Sequence, residues 1–319
     1  IEIITADQRM KEMIQLARTV APSKATVLIQ GESGTGKELI ASLVHENSTR
    51  AGKPFVAINC AAIPENLLES ELFGYERGAF TGAVTSKAGK FELAHGGTIL
   101  LDEVSEMDIR LQAKLLRAIQ EGEVDRIGGR KPIPVDVRMI ATTNRNLAEC
   151  VKLGEFREDL FYRLNVVNLT LPPLRERIGD VKILSQHFFN KYGEKNSKVI
   201  EGCSPEVMAL LDGHNWPGNI RELENVAERA VITSGGTMIS VQDIFIESAT
   251  SANSLSRGAD ALEKNWAPGR TLDDIERTVI IQALEYHHGN RTHTAKALGI
   301  SIRTLRNKIA DYRNLGIHV

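Results

Sequence analysis

Two short stretches carry residue types that can do chemistry on a phosphate. Gly31-Glu32-Ser33-Gly34-Thr35-Gly36-Lys37-Glu38 follows an apolar run, Ala25–Gln30. It opens a segment, Lys37–Asn47, whose Ile40, Leu43 and Val44 share a helical face. A glycine-rich turn between strand and helix aims backbone N–H groups and the positive helix end at an anion, and Lys37 then reaches the β- and γ-phosphates. The competing reading is an incidental glycine-rich turn. Glu38 stands where a phosphate loop usually has Ser or Thr, so that magnesium ligand is missing or Glu38 serves through water. The second stretch, Asp102-Glu103, ends the run Thr98–Leu101 (TILL). One carboxylate can hold Mg²⁺ while the other orients and polarises an attacking water; the alternative is a solvated pair at a strand end. Asn59 ends Phe55–Asn59 and could hydrogen-bond Glu103, holding it off the water, or simply form a turn. Thr143-Asn144 ends another strand, Val137–Thr142, and is placed to sense the γ-phosphate.

A third stretch poses a different question. FGYERGAFTGAVTSK, residues 73–87, sets Phe80 and Thr81 among Gly78, Ala79, Gly82 and Ala83. Glycine costs about 1 kcal/mol against alanine in a helix interior, so the segment builds no long helix, and it offers a core few side chains. It reads as a flexible loop with a single apolar tip.

At the C-terminal end, Thr271–His287 reads as a helix closed by Gly289-Asn290, Thr292–Leu298 as a second, and Gly299 as a turn. Ser301 caps a third, which buries Ile302, Leu305, Ile309 and Tyr312. Arg303, Thr304, Arg306, Asn307 and Lys308 are left outward. This pattern fits a helix-turn-helix, whose Arg, Asn and Lys read base edges or contact phosphates; the alternative is a solvated basic helix in a small bundle. Ile275, Val279, Ile280 and Leu284 offer more apolar surface than one short partner covers, which points to a dimer on a two-fold DNA site.

The elements that must position these residues follow from the patterning. Strand-like and helix-like segments alternate to about residue 170, which predicts a parallel sheet covered by helices. Leu111, Leu115, Ala118 and Ile119 mark a helix that stops near Gly122. After Pro172-Pro173 the pattern turns all-helical: Asp180–Tyr192, Ser204–Leu211 with Ser204 as cap and Pro205 first in the helix, and Asn219–Thr233 with Asn219 as cap and Glu222 in capping-box spacing. Residues 247–270 lack periodicity and read as a linker. The 319 residues suit about two domains. Their net charge of −2 gives no overall basic signature, so any nucleic-acid affinity is local. Cys60, Cys150 and Cys203 lack metal-ligand spacing and read as reduced, buried and cytosolic. No apolar run or leader suggests a membrane or export. The chain begins with Ile1, as a fragment or a processed chain would.

GESGTGKE, GAFTGA, LLDE, FREDLFYRLNVV and WPGNIRELENV occur in the order seen in sigma-54-dependent transcription activators, which the chain resembles over about residues 1–245. Its C-terminal end is similar to their Fis-type DNA-binding domain. The resemblance implies an α/β AAA+ phosphate-loop core with a parallel sheet (1–174), a helical lid (175–246), a linker (247–267) and a Fis-type helix-turn-helix domain (268–319). It implies an ATPase that binds upstream DNA and remodels sigma-54 RNA polymerase holoenzyme to open promoters. The competing function is a DNA-binding regulator whose ATP site only senses nucleotide.

The resemblance also implies roles. ATP sits on residues 31–38, with Mg²⁺ on Asp102 and water on Glu103. Asn59 is the switch for Glu103, Thr143-Asn144 the first sensor and Arg221 the second. Arg157 and Arg163 match the arginine fingers. Six apart on an ideal helix they diverge by about 120°, so they share credit between phosphate and subunit interface; the alternative is surface pairing with Glu158 or Asp159. Residues 178–180 lie at the hinge between core and lid, and Gly78–Ala83 contacts sigma-54, coupled to the cleft through Asn59, Glu103 and the loop base at Glu76 and Arg77. The protein is expected to form dimers to hexameric or heptameric rings. Glu38 agrees with this family. LLDEVSEMDIRLQAKLLRAIQ, residues 100–120, is most similar to activators of flagellar genes. Family members commonly carry an N-terminal regulatory domain, often a two-component receiver, and the reading places none within residues 1–319.

Overall fold

The computed structural model describes residues 3–246, 276–277, 279–281, 283–284, 291, 294–295 and 298–314. They fall into two compact units divided near residue 245, each described by itself. The expected linker and most of the expected Thr271–His287 and Thr292–Leu298 helices lie outside the described residues.

In chain order the first unit runs α1 (Gln8–Val20), β1 (Val27–Gln30), α2 (Lys37–Glu46), β2 (Phe55–Asn59), α3 (Glu65–Phe73), β3 (Gly74–Tyr75), β4 (Lys87–Ala88), α4 (Lys90–Leu93) and β5 (Thr98–Asp102). It continues through α5 (Ile109–Glu121), β6 (Glu123–Val124), β7 (Ile133–Pro134), β8 (Arg138–Thr143), α6 (Leu147–Lys152), α7 (Glu158–Leu164) and β9 (Val167–Thr170). Last come α8 (Asp180–Lys195), β10 (Gly202–Cys203), α9 (Pro205–Asp212), α10 (Asn219–Thr233) and β11 (Met238–Ile239).

Five parallel strands make one sheet in the order β2-β5-β8-β1-β9. Strand β5 is buried throughout, as a central parallel strand covered on both faces must be. One face is packed by Leu68, Leu72, Phe73, Leu111, Leu115 and Leu160, the other by Met10, Ala17, Ile40 and Val44. At about 1.5–3 kcal/mol for each large side chain buried, these two layers hold the sheet. The pairing aligns the carboxyl ends, Asn59 beside Asp102 and Gln30 beside Thr143, where open parallel sheets bind ligands. Helix α1, capped by Asp7, and edge strand β9 belong to this layer and were not anticipated from the sequence.

Two expectations about the lid change. It is not all-helical, because β10 and β11 pair as a short parallel ribbon. Asn219 does not cap α10: Gly218 occupies that position, and Glu222 Oε2 accepts from Gly218 N at 2.8 Å. Ser204 does cap α9, with Pro205 following. Cys60 and Cys150 are buried, but Cys203 is only half-buried. Burial, with Asp102 and Glu103 adding to it, pushes the Cys60 thiol up to about 12; it is inert.

In the second unit, Leu305, Ile309 and Tyr312 of the helix Ile302–Asn314 pack on Ile280, Leu284 and Ala295. Ile280 and Leu284 are therefore covered within this unit while Val279 is 39% exposed, so less of the apolar surface expected to make a dimer is left over among the described residues. Ile275 and the side chain of Ile302 lie outside the described residues. Ser301 Oγ accepts from Thr304 N at 3.0 Å, as a cap should.

Candidate functional site: a cleft at the carboxyl ends of the sheet

The loop between β1 and α2 turns on Gly31, Gly34 and Gly36, all at positive φ. A cleft of about 320 Å³ opens over it, lined by Ser33, Gly34, Lys37, Asp102, Glu103 and, from the lid, Ile220 and Arg221. Beside it an apolar cavity of about 110 Å³ is lined by Ile3, Ile4, Leu39, Leu184, Phe188 and Ile220. A larger groove of about 560 Å³ near Glu65 and Lys114 lies elsewhere. Its charges pair with one another, Arg110 with Glu65 and Lys114 with Glu69, so the cleft is the better candidate.

Buried Lys37 donates to Gly31 O at 2.9 Å and lies 3.1 Å from Glu103 Oε1. Glu103 is a non-glycine residue in the left-handed region, φ 53°. Such conformations persist where the surroundings over-determine them, and they cluster at functional sites. Its backbone N–H donates to Thr142 Oγ1, and its Oε2 accepts from Asn144 N at 2.8 Å. Asp102 is held on both oxygens, by Thr142 Oγ1 and by Asn59 Nδ2 at 2.6 Å.

The last contact corrects an expectation. Asn59 grips Asp102, not Glu103, because the β2–β5 register sets Asn59 opposite Asp102 and Glu103 has already left the strand. Thr143 is fully buried, with Oγ1 3.0 Å from Ser105 Oγ, so its side chain is committed away from the cleft; Asn144 meets the site through its backbone. The carboxylates of Asp102 and Glu103 beside a phosphate loop are the hard-oxygen donor set Mg²⁺ takes, phosphate and water oxygens completing its shell. Among the described residues no three His, Cys, Asp or Glu form a cage of their own.

The lid closes one wall of the cleft. Arg221 Nη1 reaches Ser33 Oγ at 3.1 Å, where the sequence placed a sensing arginine. Glu32, expected to serve the nucleotide, is instead held by Arg175 at 2.6 and 2.8 Å and by Asn219 at 3.1 Å. Those contacts, Arg175 first and Asn219 second, lower the Glu32 carboxyl to about 2. Buried Arg177 donates to Thr35 O at 2.8 Å. Arg175 and Arg177 have no counterpart among the sequence expectations, their only signal being the Arg-Glu-Arg stretch after Pro172-Pro173, and Asn219 is expected there as a cap rather than as a contact to the phosphate loop. At the hinge, Ile178 is exposed, while buried Asp180 accepts from Thr5 Oγ1 at 2.9 Å and Ala6 N at 2.6 Å.

Arg157 precedes α7 as its cap residue, so the ideal-helix angle between it and Arg163 does not apply. Within one chain Arg157 pairs with Asp159 at 2.7 Å, and Arg163 is exposed. Neither lines the cleft of its own chain.

The Gly78–Ala83 loop stands on the β3–β4 ribbon. It is less free than its composition suggests: Gly78 N donates to Ala83 O at 2.8 Å and Ala83 N to Phe80 O at 3.0 Å. Ala83 is buried, which takes its side chain out of any contact surface. Phe80 is 46% exposed and leans edge-on against Tyr75; Thr81 is exposed. At the loop base Arg126 holds both Glu76, at 2.9 Å, and Glu92. In the second unit Ser301, Arg303, Thr304, Arg306 and Asn307 are exposed. Lys308 is half-buried, 2.5 Å from Glu276, so it braces the module as well as facing outward.

Comparison with known proteins agrees with this layout. Residues 3–170 match the Sigma-54 interaction domain, 175–260 the AAA+ ATPase lid domain and 271–312 the bacterial regulatory protein, Fis family. Transcriptional regulatory protein FlbD of Caulobacter vibrioides is 53% identical across 99% of the chain and 71% of its own length. Regulatory protein AtoC of Escherichia coli is 50% identical across 97% of the chain and 67% of its own length. The crystal structure of NtrX from Brucella abortus in complex with ATP superposes with a TM-score of 0.74 at 33% identity, covering 98% of this chain and 69% of that one.

Proposed function

The chain belongs to the sigma-54-dependent transcription activators, AAA+ ATPases with a Fis-type DNA-binding domain, and from that premise we propose how its parts are used. ATP lies with its base in the apolar cavity and its phosphates on residues 31–38, Lys37 reaching the terminal phosphates. Asp102 would hold Mg²⁺, which supplies charge neutralisation at the phosphates. Glu103 orients the attacking water once Lys37 has turned from it to the phosphates. Asn59 acts on Glu103 indirectly, by fixing Asp102 one residue earlier. Thr143-Asn144 senses through the backbone contact of Asn144, and Arg221 senses from the lid. Arg157 and Arg163 serve the cleft of a neighbouring copy, and the working form is a ring, of six or seven subunits as in the family the chain resembles. Glycines 78 and 82, Ala79, Phe80 and Thr81 touch sigma-54. The DNA-binding unit docks as a dimer on a site upstream of the promoter, in the cytoplasm, with flagellar genes the targets expected from residues 100–120.

The observation that carries this reading is the convergence of Lys37, Asp102, Glu103 and the lid's Arg221 on one cleft. Transcription reconstituted from a sigma-54 promoter should open with ATP and stay closed with a non-hydrolysable analogue, while hydrolysis per subunit rises with protein concentration. Opening without hydrolysis, or full activity in a demonstrated monomer, contradicts it. On DNA, Arg303→Ala should cost about 1–3 kcal/mol at one base pair, measured by titrating sequence variants of the site. Arg306→Ala should lower the salt slope by roughly one, and Lys308→Ala by less, because Glu276 already engages it. Equal effects of the two would remove that distinction.

A further inference from the structure

The lid touches the phosphate loop at four consecutive residues. Glu32 accepts from both Nη atoms of Arg175, at 2.6 and 2.8 Å, in the two-pronged geometry that suits guanidinium and carboxylate. Asn219 Nδ2 donates to Glu32 Oε2 at 3.1 Å and to Ser33 O at 3.0 Å. Gly34 O accepts from Ile220 N at 3.0 Å. Arg177 Nη2 donates to Thr35 O at 2.8 Å.

Asn219 is central to this arrangement. It is fully buried, and its Oδ1 accepts from Leu174 N at 2.8 Å, next to Arg175. It also has φ 53°, a left-handed conformation that non-glycine residues adopt only where the surroundings hold them. That conformation turns its amide away from α10, where a cap would point, and into the loop. Its side-chain amide contacts go to the phosphate loop and to Leu174. Glu32 and Arg175 are both partly exposed, yet they meet each other across 143 residues of sequence.

We propose that Glu32, Arg175 and Asn219 form a latch that fastens the phosphate loop to the lid, making Arg175 and Asn219 positioning residues for nucleotide binding. This rests on the reading of the cleft as the ATP site. Backbone N–H groups grip phosphate only when the loop already holds the right shape, and holding it beforehand lowers the ordering cost of binding. Because the latch spans loop and lid, a displacement of the lid also moves the phosphate-binding N–H groups.

The test is a cycle of Glu32→Ala, Arg175→Ala and the double variant in the full chain, with Asn219→Ala alongside. Affinity is measured with a fluorescent ATP analogue, and KM and kcat by steady-state hydrolysis. Each single variant should weaken binding and raise KM by about tenfold, with kcat within about twofold. The double variant should be no worse than the worse single, because the Arg175–Glu32 contact is already lost in either single. Wild-type binding with unchanged affinity in the singles, or losses that multiply in the double, overturns the latch alone. Failure of the wild type to bind the analogue overturns the ATP reading and the latch together. Melting temperatures monitor folding, and where Arg175→Ala does not fold, Arg175→Lys takes its place in the cycle. Lysine keeps the charge without the fork, so Arg175→Lys should fall between wild type and Glu32→Ala in affinity; wild-type affinity in Arg175→Lys counts against the latch.

Discussion

Gly34 and Gly78 have nearly the same φ, 78° and 82°, in opposite settings. A Cβ on Gly34 would stand 2.3 Å from Gly218 O, whereas one on Gly78 would meet nothing within 4 Å. Gly34 lets the phosphate loop and the lid touch, whereas Gly78 and Gly82 turn the chain in open space. The same contrast runs through the side chains. Lys37, Asp102, Thr142 and Thr143 are buried and hydrogen-bonded, Lys37 to Gly31 O, Asp102 to Thr142 and Thr143 to Ser105, while Phe80 and Thr81 face outward. Chemistry on a phosphate needs polar groups fixed in advance. Contact with a partner needs an apolar anchor that the fold leaves uncovered.

The contrast can be broken or sharpened in order of expected size. Arg157→Ala should lower hydrolysis by roughly 10³-fold while ATP affinity, read by fluorescence titration, stays within about twofold; a loss of binding instead would place Arg157 in the cleft of its own chain. Gly34→Ala should cost about 2–4 kcal/mol of stability and Gly78→Ala only about 1–2 kcal/mol, the left-handed penalty alone, both by denaturant unfolding. Equal costs would erase the distinction between crowded and open glycines. Asn59→Ala should reduce hydrolysis about tenfold by freeing the Asp102 carboxylate, with little effect on melting temperature.

The smallest effect concerns pH. Arg175 and then Asn219 hold the Glu32 carboxyl at about 2, below its ordinary 4.5. A depressed pKa means the contact is fully present above about 4.5 and lost as pH falls toward about 2. The gap in melting temperature between wild type and Arg175→Ala should therefore stay constant from pH 8 to 5 and narrow only in more acid solution. A gap that changes across the neutral range would implicate a different group.

The cleft was legible in the sequence wherever one short segment carries its own geometry. Gly31–Lys37 did, since strand, glycine turn and helix are contiguous; in the second unit the Ser301 cap is legible for the same reason. Contacts set by register or by distant segments were not. The sequence pairs Asn59 with Glu103 rather than Asp102 because strand alignment is invisible in a linear sequence. Asn219 read as a cap because its spacing to Glu222 fits one, whereas its left-handed backbone points it at a loop 186 residues away. The spacing of Arg157 and Arg163 suggests one helix, which Arg157 only precedes. Strand β9 is short and half-exposed, so its apolar pattern is faint.

The most direct test asks whether chemistry and contact are separable. Phe80→Ala and Thr81→Ala should keep the fold, the oligomer and most ATPase activity. With ADP and aluminium fluoride, a mimic of the transferring phosphate, the wild type should hold sigma-54 in a pull-down while both variants release it and fail to open promoter DNA. Variants that lose hydrolysis and assembly together yet still hold sigma-54 would contradict the account, and the exposed loop would then be a structural part of the ATPase.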